Sequence, residues 1–409
     1  MDFRKYDGTR DLEAARRIWR ETGWLGKDRE HVMDLELEGT DGFVADLNGE
    51  AECLVLTAPG RLMYQQEELP YLHVNGVTTS RVARKQHLAS GVTAGAVAQG
   101  AAEGALVAAL GMFDQGFYNR LGFGSGAYTN QFSLDPAHFT VTETPRVPRR
   151  LTADDWEAVH ASRLARRPAH GACSLDRPAL THVPMLWGDT AFGLGYFDGP
   201  QGELTHHFWC HAKNAARGPY EVTWIVFQTR EQFRELIAVL KSLGDQVRLI
   251  TLREPPGIQI QDLLEHPFRE YESRDKGRFE LGTHAVAWWQ MRMLDLPGCL
   301  ARTHLPCGEV RFNLQLSDPI TKYLDPQSPW QGVAGDYVVT LGAESGAEPG
   351  QDANLPSLQT TVNAFTRLWL GVRSASGLAF TDELVAPEGL LQSLDAVIRL
   401  PLPHPDWNL

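Results

Sequence analysis

The chain has 409 residues, 43% of them hydrophobic, and a mean hydropathy of -0.27, which fits a globular protein of two or three domains with real cores. Its formal net charge of -13 argues against nucleic acid as a partner for the whole surface and would favour cationic substrates. No apolar run is long enough to span a bilayer, the charged start is not signal-like, and five scattered cysteines form no disulfide framework, so a cytoplasmic protein without a membrane partner is expected.

In chain order, residues 12–24 place Leu12, Ala15, Ile18 and Trp19 on one helical face, with Asp11 as the expected cap and Gly23 as the stop. Two alternating strands within 42–58 flank Asn48-Gly49, a strong hairpin signal. A third strand is expected over 62–69, and another begins at Tyr71, where Leu72, Val74, Gly76 and Thr78 alternate with other residues. The basic stretch RVARKQH follows. Then comes a helix of small residues over 88–103, slim enough for something to pack very close to it. An apolar run of strand length covers 105–110, and Tyr118-Asn-Arg-Leu-Gly-Phe-Gly124 closes the segment. A strand that delivers a basic loop to a helix N-terminus suits an anion, because unpaired first-turn N–H groups and the helix dipole point at it. A solvated basic turn before an ordinary helix is the other reading of the same residues. Trp19, Trp24 and Phe43 either line an acceptor pocket or simply fill the core.

The order V-T-T-S-R-V-A-R-K-Q-H-L-A, then a small-residue helix, a strand and Y-N-R-L-G-F-G, resembles the acetyl-CoA segment of the GNAT N-acetyltransferases. More narrowly it resembles their enhanced-intracellular-survival (Eis-like) branch, over about residues 2–135; the tyrosine signature is the more specific match. The resemblance implies that Arg84, Lys85, Gln86, His87, Leu88 and Ala89 form the loop that holds the coenzyme A diphosphate. It implies that the N–H groups of Val77 and Thr79 polarise the thioester and hold the pantetheine arm, that Tyr118 is the general acid, and that the Leu409 carboxylate is the base. His87 departs from the pattern, because the family has glycine there. Glycine accepts any φ and lets amides approach a phosphate, whereas histidine takes the left-handed region at a cost. Either the loop shifts and His87 adds a donor, or the cofactor site is weakened.

Residues 145–150, PRVPRR, read as a linker. Beyond them a helix starts at Thr152, strands are expected over 192–197, 206–211 and 220–227, a helix over 229–243, and a strand over 247–252. No second phosphate loop or tyrosine signature accompanies this mixed pattern. The run His206-His207-Phe208-Trp209-Cys210-His211 offers zinc-type ligands, but no second ligand pair has the usual spacing, so no metal is expected. From Ala285 a strand enters a helix, strands follow over 309–316 and 337–341, residues 346–354 read as a turn region, and 362–371 as a helix with Phe365, Leu368 and Trp369 inward. The fold class expected is α/β with mixed sheets. By resemblance it comprises an acetyl-CoA-binding GNAT domain (1–146), a degenerate GNAT-like domain (147–284), and a sterol-carrier-protein-like domain (285–409) that contains Trp289-x-x-Arg292 with Asp295 and presents the chain terminus.

Amine acetylation needs a base, since an alkyl ammonium has a pKa of about 10.4, and an acid for the leaving thiolate. Tyrosine stays protonated at neutral pH and can donate. A terminal carboxylate, at about 3.3–3.7 when unperturbed, is a poor base unless burial raises it. Asp406 is an alternative base, a frayed terminus is common, and Cys53 stays open as a covalent nucleophile. The expectation is acetyl-CoA-dependent transfer to an amine of a small molecule or peptide, in a homo-oligomer, with no metal. A catalytically silent acyl-CoA- or ligand-binding protein on the same scaffold is the alternative, and lipid binding by the last domain is a third.

Overall fold

Helix α1, Gly8–Thr22, begins at Asp7, whose side chain accepts from the Thr9 N–H, and stops at left-handed Gly23. The expected cap, Asp11, lies inside the helix instead. It is buried against the Arg4 guanidinium at 2.6 Å, a partner that no local pattern reveals. The computed structural model describes residues 3–188, 190–265, 282–407 and 409; residues 266–281 of the second expected domain lie outside them. The chain forms two compact units, one of Met1–Ala127, Ala169–Arg177 and Ala287–Leu409, the other of Tyr128–Pro168 and Pro178–Val286. Three mixed sheets give the α/β class expected.

In the first unit, β1 (Phe3–Lys5), β2 (Asp41–Leu47), β3 (Glu50–Tyr64), β4 (Glu67–Thr79) and β5 (Val107–Gly111) lie side by side, and strand Trp289–Met293 fits between β5 and β6 (Gly124–Ser125). Asn48 and Gly49 both have positive φ, as a tight hairpin turn requires. The strand expected over 62–69 is instead two arms of a second hairpin. Tyr64 pairs with Glu67, and Gln65 takes the left-handed turn position, which no turn-type residue advertises. Helix α2, Glu30–Glu38, was not expected. It carries Val32, Met33, Glu36 and Leu37 on its buried side. With Trp19 it covers one face of the sheet, over Val44, Leu54 and Leu56.

Helix α3, Leu88–Ala102, covers the other face through Leu88, Val92, Ala96 and Val97, packed with Phe43, Leu72, Val74 and Leu110. Its small residues have a packing cause. A Cβ on Gly95 would stand 2.8 Å from the Phe3 ring, and one on Gly100 2.5 Å from Leu72. Trp19 and Phe43 are core residues, whereas Trp24 is exposed.

The third sheet, in the same unit, is built on Val310–Ser317, antiparallel to Gly335–Leu341 and parallel to Ser357–Thr361. Residues 346–349, expected within a turn region, form its edge strand, Gly346–Pro349. Tyr64 ties β3 to this part of the chain. Its ring stacks on Trp369 at 4.2 Å and its hydroxyl donates to the Trp369 carbonyl.

In the second unit a seven-stranded sheet packs Phe208, Val222 and Ile250 against Phe233, Leu236, Ile237 and Leu240 of the helix Arg230–Ser242, whose Thr229 and Gln232 form a capping box. Strand Thr129–Leu134 belongs to this sheet. The stretch expected as a linker is held. Arg149–Leu151 is a strand, and Arg146 pairs with Asp198 and Glu235 at 2.6 and 2.7 Å. Among the described residues, no helix is long and apolar enough to cross a membrane.

Candidate active site

The site grows from a defect in β4. Leu54 of β3 pairs with Thr78 and Leu56 with Asn75, so Gly76 and Val77 together face Val55 across a bulge. Gly76 has a φ of 61° and lies against Leu56, a conformation and a closeness that suit glycine. On its other side β4 runs parallel to β5 only from Tyr71 to His73, opposite Val107 to Ala109. Beyond that point the two strands part. Val77 and Thr79 therefore stand on one wall of a wedge in the sheet, with Leu110 and Gly111 on the other. Backbone N–H groups that leave a ladder in this way are donors for a ligand.

β4 delivers the chain to the basic loop. Arg84, Lys85, Gln86 and His87 are exposed, Leu88 is buried and Ala89 half-buried. Lys85 and His87 both adopt left-handed φ, 62° and 61°, on either side of Gln86. His87 thus takes the conformation for which glycine is the ordinary choice, and its side chain caps nothing. The first turn of α3 has no side-chain cap and no acidic residue. Alternating handedness of this kind turns successive N–H groups towards one concavity, an anion nest, at the positive end of a helix dipole.

At the far side of the wedge, Asp114 caps the short helix α4, Gln115–Asn119, by accepting from the Phe117 N–H at 3.1 Å. Tyr118 on this helix is 2% exposed and held edge-on by Phe113, Phe117 and Phe123. Burial, with the Asp114 charge adding to it, raises its phenol well above the ordinary value, so it stays protonated.

The loop after Tyr118 is clamped by residues far along the chain. Arg292, wholly buried, donates to the Leu121 carbonyl at 2.5 Å and pairs with equally buried Asp318 at 2.6 Å. Asn363 donates to the carbonyls of Asn119 and Phe123 at 2.8 and 2.9 Å. Gly122, at φ 82°, sits where a Cβ would stand 2.6 Å from the Arg292 guanidinium. Asp295 does not join Arg292; it caps the helix Leu296–Leu300. Asn363 and Asp318 carried no signal in the sequence, because an isolated Asn or Asp has no periodicity.

The terminal segment is fixed rather than frayed. Pro403 and His404 lie against Gly171, the His404 N–H donates to the His170 carbonyl at 2.9 Å, and Trp407 is fully buried. This path brings Leu409 to the last residue of β5. A Cβ on Gly111 would collide with the Leu409 carboxyl oxygen and stand 2.8 Å from its carbon. Sequence reasoning missed Gly111; a small residue ending an apolar strand just before the tyrosine segment was the available signal.

Other nucleophile and ligand candidates are engaged elsewhere. Cys53 is buried, and its thiol is pushed up to about 12 by burial, which disfavours a thiolate. His207 accepts from the Trp224 indole at 3.1 Å and faces the Ser162 hydroxyl. Asp198, His206 and Glu235 cluster closely enough for a cation, but the Arg146 guanidinium already joins both carboxylates.

No protein-family model and no curated protein matches the chain. Solved structures do, along its whole length. A conserved protein of unknown function from Enterococcus faecalis, described as a probable N-acyltransferase, is 16% identical with a TM-score of 0.80 over 100% of this chain and 99% of that one. Eis1 from Mycobacterium abscessus is 16% identical with a TM-score of 0.78, over 100% of both chains. A GCN5-related N-acetyltransferase from Anabaena variabilis is 13% identical with a TM-score of 0.77, again over 100% of both. The chain therefore has the fold shared by these GCN5-related N-acetyltransferase and Eis structures.

Proposed function

We propose that the protein is an acetyl-CoA-dependent N-acetyltransferase acting on an amine of a small molecule or peptide. The observation that carries this is the wedge between β4 and β5, with the Leu409 carboxyl held at Gly111 on the same short segment that leads to Tyr118. The names of the similar structures support the same chemistry. In this reading the coenzyme diphosphate lies on the amides of Arg84, Lys85, Gln86, His87, Leu88 and Ala89, with the Arg84 and Lys85 side chains adding charge. The N–H groups of Val77 and Thr79 polarise the thioester carbonyl and hold the pantetheine arm. The amine attacks the carbonyl carbon directly in a ternary complex, the Leu409 carboxylate takes a proton from the attacking nitrogen, and the Tyr118 phenol protonates the departing thiolate. The chain-end region 285–409 serves as the scaffold that presents this carboxylate.

Left-handed His87 favours activity over a silent binding protein, since the loop shape glycine would give is formed without it. The test is turnover of acetyl-CoA with a panel of primary amines by the wild type and by a variant with one residue added after Leu409. Transfer by the wild type and its loss in the extended variant are expected. A wild type that binds acetyl-CoA and acetylates none of the amines would favour the silent reading.

A further inference from the structure

Glu36 is a carboxylic acid on the wrong side of a helix. α2 turns Val32, Met33, Glu36 and Leu37 inward, and Met33 and Leu37 join the apolar cluster of Trp19, Leu54 and Leu56. A buried carboxyl costs stability unless it is paired or neutral. Glu36 is 7% exposed, and its partner is Asn75, whose amide donates to Oε1 at 2.7 Å. The Asn75 oxygen accepts the Gly76 N–H at 2.7 Å, so both ends of that amide are fixed. Asn75 is the residue at which the β4 bulge opens, two positions before Val77.

The charged groups of the surrounding elements are engaged with one another. Arg16 of α1 pairs with Asp34 of α2, Arg20 with Glu30, and Asp41 of β2 with Arg177. His73 of β4 is neutral, lowered to about 4 by burial, and meets the Tyr71 hydroxyl. Burial pushes the Glu36 carboxyl up to about 7, with the Asn75 hydrogen bond pulling the other way, and no charge among the described residues shifts it. A base is most useful when its own ionisation lies near the working pH.

An ammonium acceptor loses two protons on becoming an amide: one before it can attack, and one from the nitrogen after attack. Resting on the transferase reading, we propose that Glu36, held by Asn75 at the bulge, accepts the first of these protons, and that Leu409 accepts the second. R–NH3⁺ gives a proton to the Glu36 carboxylate. The freed lone pair forms the N–C bond and the carbonyl π electrons move to oxygen. Leu409 takes the second proton, the C–S bond breaks as the carbonyl re-forms, and the thiolate takes the Tyr118 proton. The proton on Leu409 restores Tyr118 and the one on Glu36 leaves to solvent. The balance is ammonium plus thioester to amide, thiol and one proton.

The test compares 2-phenylethylamine, an ammonium at neutral pH, with aniline, which is already neutral there and has no first proton to lose. Glu36→Gln should lower kcat/KM about 10²–10⁴-fold for phenylethylamine and leave aniline nearly unchanged. The wild-type profile with phenylethylamine should show an acid limb near pH 7, and in Glu36→Gln that limb should move up to the ionisation of the amine itself, at about 10. Should that variant fail to fold, Asn75→Leu serves, since losing its hydrogen bond should move the limb to higher pH. Equal loss with both amines, or a limb that persists unmoved, overturns the role of Glu36 and leaves the transferase reading standing. A wild type inert towards both amines overturns both.

Discussion

Gly111 and Leu409 stand closer than any side chain at position 111 would allow, because a Cβ there would enter the space of the terminal carboxyl. Nearly three hundred residues of sequence separate them, and the buried Trp407 together with the Pro403–Gly171 contact fixes how they meet. The strand end at Gly111 thus acts as a gauge for the position of Leu409.

Gly111→Ala should displace the carboxyl. Since about 1 Å of misplacement can cost roughly 10²-fold, kcat should fall at least about tenfold. Gly111 ends its strand and is half-buried, so thermal unfolding should change little. Steady-state kinetics beside a melting curve separates the two effects; an unchanged kcat would dissociate the terminus from the chemistry.

Tyr118→Phe keeps the ring among Phe113, Phe117 and Phe123 and removes only the hydroxyl that would donate the proton. The expected loss in kcat is about 10²–10⁴-fold, with acetyl-CoA binding preserved. Because burial raises the Tyr118 phenol, the wild-type rate should show no alkaline limb at the ordinary tyrosine value of about 10. A pH–rate profile checks this.

The Arg292–Asp318 pair supports the loop after Tyr118 from within the core. Removing one partner strands a buried charge, so Arg292→Leu or Asp318→Asn should each cost about 3–5 kcal/mol in urea unfolding. Replacing both by apolar residues should recover much of that loss. A double variant as unstable as the sum of the singles would show that the pair is not coupled.

Two buried imidazoles set an acid limit on stability. Burial lowers His73 to about 4 and His207 to about 3. In the unfolded chain histidine binds a proton below about 6.5, whereas in the folded chain these two do not until pH falls much further. The unfolded state therefore binds more protons in that interval, and stability is lost as pH falls from about 6.5 towards about 4. Urea midpoints should drop between about pH 7.5 and pH 5 in the wild type and drop less in His73→Gln and His207→Gln.

Much of this was legible from the residues, and what was not has a common cause. The small-residue helix α3, the Asn48-Gly49 turn and the Tyr118–Gly124 signature are local patterns, read within one turn or one hairpin. Asp7 and Asp11 have the same chemistry; Asp7 caps α1, while Asp11 is taken by the Arg4 guanidinium and the Asp7 N–H, a pairing that no helical periodicity displays. Gln65 turns a hairpin that its side chain does not announce. Gly122 belongs to a recognisable motif, yet its reason is the Arg292 guanidinium, brought in from far along the chain. Gly111 and Glu36 matter only after β5 meets the terminus and α2 meets the bulge. Local grammar names the elements, while long-range pairing decides which of their residues form the site.

In the proposed mechanism the loop ending at His87 seats the diphosphate of acetyl-CoA on exposed amides. Calorimetric titration of acetyl-CoA tests it most directly, in the wild type, in His87→Gly, and in His87→Val, whose branched side chain opposes a left-handed φ. Micromolar binding by the wild type, similar binding by the glycine variant and weakened binding by the valine variant are predicted. Binding by His87→Gly alone, with none by the wild type, would contradict the account.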